Sequence, residues 1–531
     1  MKKNIFFIVV SMFLTWNVSA EILTVTNTDD SGTGSLRRMV ELANNGDSII
    51  FDKSLAGKTI ELQSDISTSN SISISGKNAS VIFSGAKLSG GKIIDNLTFD
   101  KSGIQDCSLI SDCIFRNCTN SAISSSVDAN ITNCTFENNS ATYNGGAISS
   151  EYSSCFVNNC TFKNNIANFK GGAIYNYSMY PRSLNPPISN CIFENNSAGD
   201  SGGAIYTGTY ATAITDCKFE NNNATNGGAI FSSYYSSVTN CTFENNIAGD
   251  SGGAFSSSAY YSIINCTFEN NSATDGGAIS SFYTSPPITN CTFENNNATE
   301  YGGAIYGSGF STNYCTYSNN SANNGGAIYA ANPDGISLTG NIFANNKIMP
   351  DDILNDVKSG KSLGYNVYTS NQNAVFSEST DYRYTGTESL LVPLGDYGGD
   401  TQTMPINTSV SDWETIVRRV PVSSDRTTDQ RGFTLPTTGL LCAGSVEMQS
   451  GGDFTDLNEI KESVNVYPNP TSDNVHFILD ENSEVQLYDV SGKLVKEQSG
   501  KIGNNEININ DLPQGIYFLK ANGKITKIMK N

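Results

Sequence analysis

Carboxylate side chains recur at regular intervals through the middle of this 531-residue chain. A glutamate follows the phenylalanine of a repeated phrase, which reads NCTFENNNATEYGGA at residues 290–304. Two carboxylates with different pKa values, held at a fixed separation, could hydrolyse a glycosidic bond. Here one residue repeats in one environment, which favours a solvated acidic edge over an active site. The glutamates are Glu137, Glu194, Glu220, Glu244, Glu269 and Glu294.

This row of glutamates makes Ca²⁺ the one cofactor to consider. Like charges stacked along an edge repel each other, and Ca²⁺ would relieve the repulsion by binding carboxylate and asparagine oxygens. We expect at most a weak contact of this kind. Otherwise we predict no cofactor, no metal-binding residue and no catalytic residue.

Thiols are the second reactive group of the repeat, because eight of the thirteen cysteines occur once per repeat. Side chains stacked about 4.8 Å apart are poorly placed for disulfides. One cysteine per repeat without histidine does not make a tetrahedral zinc site. We expect buried free thiols, with disulfides between successive repeats or a zinc ladder as the alternatives. The eight are Cys134, Cys160, Cys191, Cys217, Cys241, Cys266, Cys291 and Cys315.

The elements that position these side chains follow from the repeat, whose intervals of 24 to 31 residues indicate a solenoid. Cysteine and phenylalanine are two apart, so on a strand they share the inner face while the threonine between them faces out. Asn-Asn and Gly-Gly suit the corners, since both residue types tolerate left-handed backbone. We predict three short strands and three turns per coil of a parallel β-helix, with a ladder of phenylalanines inside.

The GGA[IF] element paired with F-x-N-N resembles the repeat of chlamydial polymorphic outer membrane proteins. It is also similar to right-handed β-helix surface proteins of other bacteria. These resemblances imply an all-β fold, a right-handed parallel β-helix of the pectin-lyase-like solenoid type. We place its coils at residues 58–346.

The N-terminal end carries an export signal and a cap. Residues 1–20 have the basic, apolar and small-residue regions of a secretory signal peptide, ending in Val18-Ser19-Ala20. Residues 21–57 are predicted to cap the solenoid with a short helix that begins after Ser35. The stretch GTGSLRRMVELANNGDSIIF resembles the opening of bacterial secreted β-helix proteins.

The C-terminal third divides into three parts. Residues 347–450 carry SLGYNVYTS, PLGDYGGDTQTMP, TDQRG and CAGSVE, and resemble the choice-of-anchor module that follows β-helices in exported bacterial proteins. Residues 451–462 read as a linker. Residues 463–531 are predicted to form a small antiparallel β-sandwich, and VYPNP, LYD, GK and GIY within them resemble the type A sorting domain of the Bacteroidetes type IX secretion system. That resemblance implies the type IX machinery as a partner.

The charge balance excludes some partners. The formal net charge is −20, which argues against nucleic acid and anionic membrane surfaces, since both bind clustered Lys and Arg. After the signal peptide, no stretch is apolar for long enough to span a bilayer. We expect a protein that is secreted, extracellular or attached to the bacterial outer-membrane surface.

Aromatic residues after each Gly-Gly form the candidate binding surface. Exposed tyrosines mixed with serine suit glycan stacking or protein adhesion. The alternative is that alternate members point inward and serve the core. A long coil at 175–190 adds a basic residue on an insertion. The candidates are Arg182, Tyr206, Tyr210, Tyr234, Tyr235, Tyr260, Tyr261 and Tyr283.

Two functions remain open at this point. The first is a non-enzymatic role in adhesion, surface display or glycan binding, with an extracellular glycan or a host or cell-surface protein as partner. The second is a polysaccharide lyase or glycoside hydrolase, because parallel β-helices include such enzymes. Residues 219–346 contain no Lys, Arg or His that could act as a base, which favours the first.

Overall fold

The computed structural model describes residues 20–151, 153, 155–177, 187–208, 212–281, 287–332, 335–350, 353–371, 375–422, 426–448, 466–467, 474–479, 482–489, 494–513, 515–521 and 524–530. The chain forms two compact units, Met1–Glu447 and Met448–Asn531. In the described part of the chain, no helix is both long and apolar enough to cross a membrane.

The first unit is a right-handed parallel β-helix, as predicted. Its coils form four sheets rather than the predicted three. The extra strand, such as Ser140–Ala141, follows the Asn-Asn corner. Asn138 has a φ of 56° and turns the chain, after which the chain runs straight for two to five residues before Gly-Gly. The predicted three-strand coil included no strand between these two corners.

Sheet 1 contains Ile22–Val25, Ser48–Phe51, Ser73–Ser75, Ile93–Asp95, Leu109–Ser111, Ala129–Thr132, Cys155–Asn158, Ile188–Ser189, Thr212–Thr215, Ser236–Thr239, Tyr261–Ile264, Ile288–Thr289, Phe310–Asn313, Ile336–Thr339 and Lys361–Ser362. Sheet 2 contains Thr59–Leu62, Ile82–Gly85, Thr98–Asp100, Ile114–Arg116, Thr135–Glu137, Thr161–Lys163, Ile192–Glu194, Lys218–Glu220, Thr242–Glu244, Thr267–Glu269, Thr292–Glu294, Thr316–Ser318, Ile342–Ala344, Val367–Tyr368 and Tyr382–Arg383. Sheet 3 contains Ser140–Ala141, Ile166–Ala167, Ser197–Ala198, Asn223–Asn226, Ile247–Ser251, Ser272–Asp275, Asn297–Tyr301, Ser321–Ala322, Lys347–Ile348 and the antiparallel Ile353–Leu354. Sheet 4 contains Ile66–Thr68, Leu88–Gly90, Ile104–Gln105, Ile123–Ser125, Ile148–Glu151, Ile174–Tyr177, Ile205–Thr207, Ile230–Ser232, Phe255–Ser257, Ile279–Ser281, Ile305–Gly307, Ile328–Ala330 and Val357–Lys358.

The interior of the coils contains the predicted ladders. Phenylalanines of sheet 2 stack with ring centroids 4.8 Å apart at Phe193–Phe219 and again at Phe219–Phe243. All thirteen cysteines are buried and free, so the prediction of buried free thiols is confirmed. Burial raises the pKa of the Cys155 thiol to about 11, which keeps it protonated at neutral pH.

The second asparagine of each Asn-Asn pair forms a buried ladder of its own. Asn139 Nδ2 donates to Asn165 Oδ1 over 2.9 Å, and the same bond repeats in the coils that follow. Each asparagine donates toward the C-terminus, so the ladder must end on an acceptor. Asp356 is that acceptor, because Asn346 Nδ2 donates to its Oδ1 over 3.0 Å.

The N-terminal cap forms as expected. Helix Leu36–Leu42 begins after Ser35, whose hydroxyl accepts a hydrogen bond from Arg38 N. It buries Leu36 and Val40 against the first coil. A short 3₁₀ helix, Lys53–Leu55, follows. The strands of sheet 1 already begin at Ile22, so the helix lies within the first coil.

The segment after the repeats belongs to the same compact unit as the solenoid. Coil strands continue beyond residue 346 as far as Tyr382–Arg383. Residues 384–447, here named the strap, then run back over the outer face of sheet 2. The strap contains helix Trp413–Val417 and the antiparallel strands Arg418–Pro421 and Leu440–Cys442.

The second unit consists of two antiparallel sheets, as predicted for the C-terminal region. One sheet contains Val466–Tyr467, Asn474–Leu479 and Gly503–Asn508, and the other contains Ser483–Asp489, Leu494–Gly500, Gly515–Ala521 and Lys524–Lys530. Their core includes Phe477, Leu487 and Leu519, all fully buried.

Candidate functional site

Three of the predicted surface tyrosines lie exposed at the turn between sheet 4 and sheet 1. The exposed fractions are 37% for Tyr234, 50% for Tyr235 and 46% for Tyr260. Tyr235 and Tyr260, here named the tyrosine pair, stack with centroids 5.3 Å apart and planes 11° apart. The two exposed rings therefore lie side by side on neighbouring coils.

Inward-facing serines set the backbone that presents these rings. Ser232 Oγ donates to Tyr234 O over 2.6 Å. One coil later, Ser257 Oγ donates to Ala259 O over 3.0 Å. Both serines are fully buried. Each hydroxyl therefore donates to a carbonyl oxygen of the turn in the place of a backbone N–H. The turns are thus fixed from inside through the carbonyl oxygens of Tyr234 and Ala259.

Two other predicted members are not on the surface. The outward side of Tyr206 is covered, because the ring lies between Tyr175 at 5.4 Å and Phe231 at 5.6 Å, with Lys170 Nζ 4.6 Å from its centroid. Tyr261 begins a strand of sheet 1 two residues before Ile263, so it points inward, where it contacts Phe255. The expectation of exposure is wrong for both. Arg182, Tyr210 and Tyr283 lie outside the described residues.

A second exposed aromatic pair was missed by the sequence reading. Tyr143 and Phe169, here named the corner pair, are 73% and 51% exposed and stack with centroids 6.1 Å apart. They occupy equivalent positions before Gly-Gly, in ATYNGGA and ANFKGGA. The signal was an aromatic residue at a position that other coils fill with small or polar residues.

Charged side chains form a row along the outside of sheet 2. Near its start the signs alternate, with an ion pair of 3.1 Å between Arg116 and Asp100 and another of 3.1 Å between Lys163 and Glu194. From Glu194 to Glu294 the row holds only glutamates, in register from coil to coil. The regular pairing of opposite charges therefore ends in the middle of the solenoid.

The strap changes the environment of the last glutamates in this row. Glu294 is only 8% exposed, so the predicted solvated edge does not extend to it. Desolvation raises its pKa above the ordinary range, and the charge of Glu269 adds to the effect. The pKa of Glu269 is raised for the same reasons, with Glu244 as the charged neighbour.

Hydrogen bonds to outward threonines hold the strap in place. Thr292 Oγ1 donates to Gln430 Oε1 over 2.7 Å, and Ser445 N donates to Thr316 Oγ1 over 3.1 Å. Both threonines are buried, whereas the equivalent Thr135 is half-buried. The outward-facing threonines Thr292 and Thr316 therefore attach the strap to sheet 2.

The TDQRG and CAGSVE motifs supply the polar core of the strap. Arg431 forms a buried ion pair with Asp429 over 2.6 Å. Arg426 donates to Asn290 Oδ1, Cys442 O and Gly444 O, and its guanidinium carbon lies 4.5 Å from the centroid of the Tyr314 ring. These residues therefore have structural roles, and they join the strap to the coils.

The arrangement closest to an enzyme site is a groove of about 590 Å³ between the coils and the edge of the strap. Lys218 lies in it and pairs with Glu220 at 2.7 Å and Glu244 at 3.4 Å. These bonds, the one to Glu220 first, raise the pKa of Lys218 above its ordinary value. A lysine held protonated in this way is a poor general base.

The other groups in the groove do not complete a metal site. Asn240 Nδ2 donates to Asp216 Oδ1 over 3.1 Å and to Asp400 Oδ2 over 3.0 Å. Across the described residues, no group of three or more His, Cys, Asp or Glu side chains is placed to hold a metal ion. The weak Ca²⁺ contact stays a prediction.

Family models match three parts of the chain. The secretion system C-terminal sorting domain matches residues 465–531. The right handed beta helix region matches residues 182–314, and the Chlamydia polymorphic membrane protein repeat matches residues 133–151 and 159–177. The chain is therefore a β-helix surface protein with a type IX sorting domain, exported through the type IX machinery to the cell surface or the extracellular space.

Comparison with individual proteins adds less. No curated protein matches the chain. Among the solved structures that match, pectate lyase Pel9A is 11% identical over 82% of this chain and 98% of its own, with a TM-score of 0.24.

Proposed function

We propose that this protein is a non-enzymatic binding protein displayed outside the cell, and that the tyrosine pair contacts an extracellular glycan. The observation that supports this most directly is the exposure of two stacked rings on turns that buried serines fix. Aromatic side chains give a large contact area at a small entropic cost, because they have only two rotatable bonds. The ring hydroxyls can exchange hydrogen bonds with sugar hydroxyls.

The solenoid suits such a role mechanically. Each coil is bonded to the next through its sheets and through the asparagine ladder. Ligand contacts on neighbouring coils would therefore keep a constant spacing of about 4.8 Å. A linear polymer could contact several coils at once, and weak single contacts would then add up.

The test is a glycan array probed with the mature chain, residues 21–531. The double variant Y235A/Y260A should lose binding. The matched control is Y143A/F169A, which removes the corner pair, an exposed aromatic stack at a different corner, and should bind normally. Equal binding by Y235A/Y260A and the wild type would refute the role of the tyrosine pair. Capture of a protein in place of any glycan would identify a protein partner.

The second candidate is a polysaccharide lyase or glycoside hydrolase. The observation that favours it is the groove lined by Lys218 and Glu244. The same array glycans should be incubated with the protein and analysed for shortened products. Cleavage that is lost in E244Q would replace the binding proposal with this one, whereas intact glycans would support binding alone.

A further inference from the structure

A cleft of about 370 Å³, here named the strap cleft, lies between the strap and sheet 2 where the row of glutamates ends. Its floor includes the last residues of three neighbouring strands, Glu294, Ser318 and Ala344, which are in register. Serine and alanine are shorter than the glutamates that precede them in the row, so they leave space under the strap. The volume of this space is within the range of small-molecule sites.

The wall that the strap contributes is apolar, and its backbone is held in place. Leu391 and Met404 line the cleft, and both are buried. Asn407 N donates to Leu390 O over 2.8 Å, and Asn407 Nδ2 donates to Ser389 O over 2.9 Å. These bonds join the two strap segments that form the wall.

Glu294 is the only charged residue among those that line the strap cleft. It is 8% exposed, and among the described residues no Lys or Arg forms an ion pair with it. Desolvation raises the pKa of its carboxyl, the charge of Glu269 adds to the effect, and a hydrogen bond with the Asn319 side chain lowers it. A desolvated carboxylate costs free energy unless a counterion pairs with it. A ligand that carries a positive charge would supply that counterion.

Elsewhere in the same row the chain supplies the counterion itself. Lys218 pairs with Glu220 at 2.7 Å and with Glu244 at 3.4 Å. Residues 219–346 contain no Lys, Arg or His, so the coils around Glu294 have none to offer. The change from paired to unpaired carboxylates thus coincides with the part of the row that the strap covers.

The strap cleft suits an organic ammonium better than a metal ion. Ca²⁺ takes about six to eight oxygen ligands, whereas Glu294 is the single carboxylate of this cleft and the facing wall is apolar. An ammonium group can pair with one carboxylate, and the carbon skeleton that carries it can pack against Leu391 and Met404.

The rim of the cleft is polar. Asn319 and Asn345 line it at two corners with left-handed backbone, where their φ angles are 55° and 58°. Both residues are exposed, and their amide oxygens can accept hydrogen bonds from hydroxyl groups. The cleft therefore offers a carboxylate, an apolar wall and hydrogen-bonding groups to one ligand.

A pyranose ring has an apolar face and an edge of hydroxyl groups, which match the wall and the rim. The stem of a lysine side chain has only methylene groups and would leave the asparagines of the rim without a partner. We propose that the strap cleft binds an amino sugar, with its ammonium group on Glu294 and its ring between the apolar wall and the rim. This proposal does not depend on the function proposed for the tyrosine pair.

The test is isothermal titration calorimetry of the mature chain at pH 7 with three matched probes: glucosamine, N-acetylglucosamine and glucose. Only glucosamine carries a positive charge, so it should bind at least tenfold more tightly than the other two. Equal affinity for all three sugars would overturn the proposal. Cadaverine, which resembles a lysine side chain, is the fourth probe, and tighter binding of cadaverine than of glucosamine would overturn the choice of a sugar.

Variants decide whether the carboxylate of Glu294 carries the binding. E294Q keeps the shape of the side chain without its charge and should lower the affinity for glucosamine at least tenfold. The matched control E137Q alters a glutamate in an early coil of the same row and should bind normally. Unchanged affinity in E294Q would overturn the proposal.

A variant with the opposite expected effect separates binding from folding. N345D adds a negative charge at the rim, and aspartate, like asparagine, tolerates left-handed backbone. N345D should bind glucosamine at least threefold more tightly, which a folding defect cannot produce, and an unchanged or lower affinity would contradict the proposed pose. Y235A/Y260A should keep the wild-type affinity, and its loss there would assign the amino sugar to the tyrosine pair and overturn the proposal.

Discussion

The carboxylate that ends the asparagine ladder offers the sharpest test of the fold. Asp356 is fully buried, and its Oδ1 and Oδ2 accept hydrogen bonds from Asn346 Nδ2 and Ser370 N. Desolvation by burial nevertheless raises its pKa from 3.8 to about 6. At about 1.4 kcal/mol for each pH unit of this difference, the ionised carboxylate costs the folded state about 3 kcal/mol.

The sign of the pH dependence follows from that raised pKa. The favourable contribution of protonated Asp356 is fully present below pH 3.8 and is lost as the pH rises through about 6. The variant D356N has nearly the same shape but no charge. Its amide nitrogen cannot accept the hydrogen bond from Ser370 N, so D356N should lose about 1–3 kcal/mol of stability at any pH. Relative to the wild type, we expect its stability to be higher at pH 7 than near pH 4 by up to about 3 kcal/mol, because only Asp356 of the wild type becomes charged.

The assay is urea unfolding of the mature chain, followed by the fluorescence of Trp413, which reports on the first unit. The control is D381N, because Asp381 accepts hydrogen bonds from Ser362, Asn366 and Glu378 N. The D381N variant lacks part of these acceptors, so its free energy of unfolding should be about 1–3 kcal/mol lower than that of the wild type. A stability difference between D356N and the wild type that is the same at pH 4 and pH 7 would refute the reasoning.

Four further predictions concern the solenoid. Phe219→Ala should lower the free energy of unfolding by about 3–5 kcal/mol because it leaves a cavity in the aromatic ladder, whereas the exposed Phe169→Ala should change it by less than about 0.5 kcal/mol; urea unfolding measures both. Gly228→Ala should prevent normal folding, because its Cβ would lie 2.1 Å from Gly253 O, whereas at Gly249 the nearest atom is 3.8 Å away; circular dichroism and the soluble yield compare the two. A thiol reagent should modify none of the thirteen buried cysteines until urea unfolds the chain, and rapid modification of the native protein would contradict their burial. Millimolar Ca²⁺ should raise the melting temperature slightly if it bridges the glutamate row, and an unchanged melting temperature would exclude that contact.

The repeat made much of the fold predictable. Period, inner and outer faces and corners follow from local rules, since residues two apart on a strand share a face and the asparagines adopt the left-handed backbone that corners need. Phe219 and Cys217 were therefore placed inside correctly. The fourth sheet was not predicted, because its two-to-five-residue strands have no periodicity of their own.

The candidate site was less predictable, because the exposure of a side chain depends on which side chains of the neighbouring coils cover it. Tyr235 and Tyr206 both follow Gly-Gly, yet a neighbouring coil covers Tyr206 with aromatic rings and leaves Tyr235 open.

The sequence by itself determined the coil, namely which residues face inward and where the chain turns, and also the sorting domain at residues 465–531. Only the tertiary structure decided what the outer face does, because the strap returns from well over a hundred residues away to bury Thr292 and Glu294. The same repeated phrase therefore gives an open charged row in the first coils and a covered interface in the last. Local patterning specifies a strand and its face, whereas contacts between distant segments specify which faces remain in water.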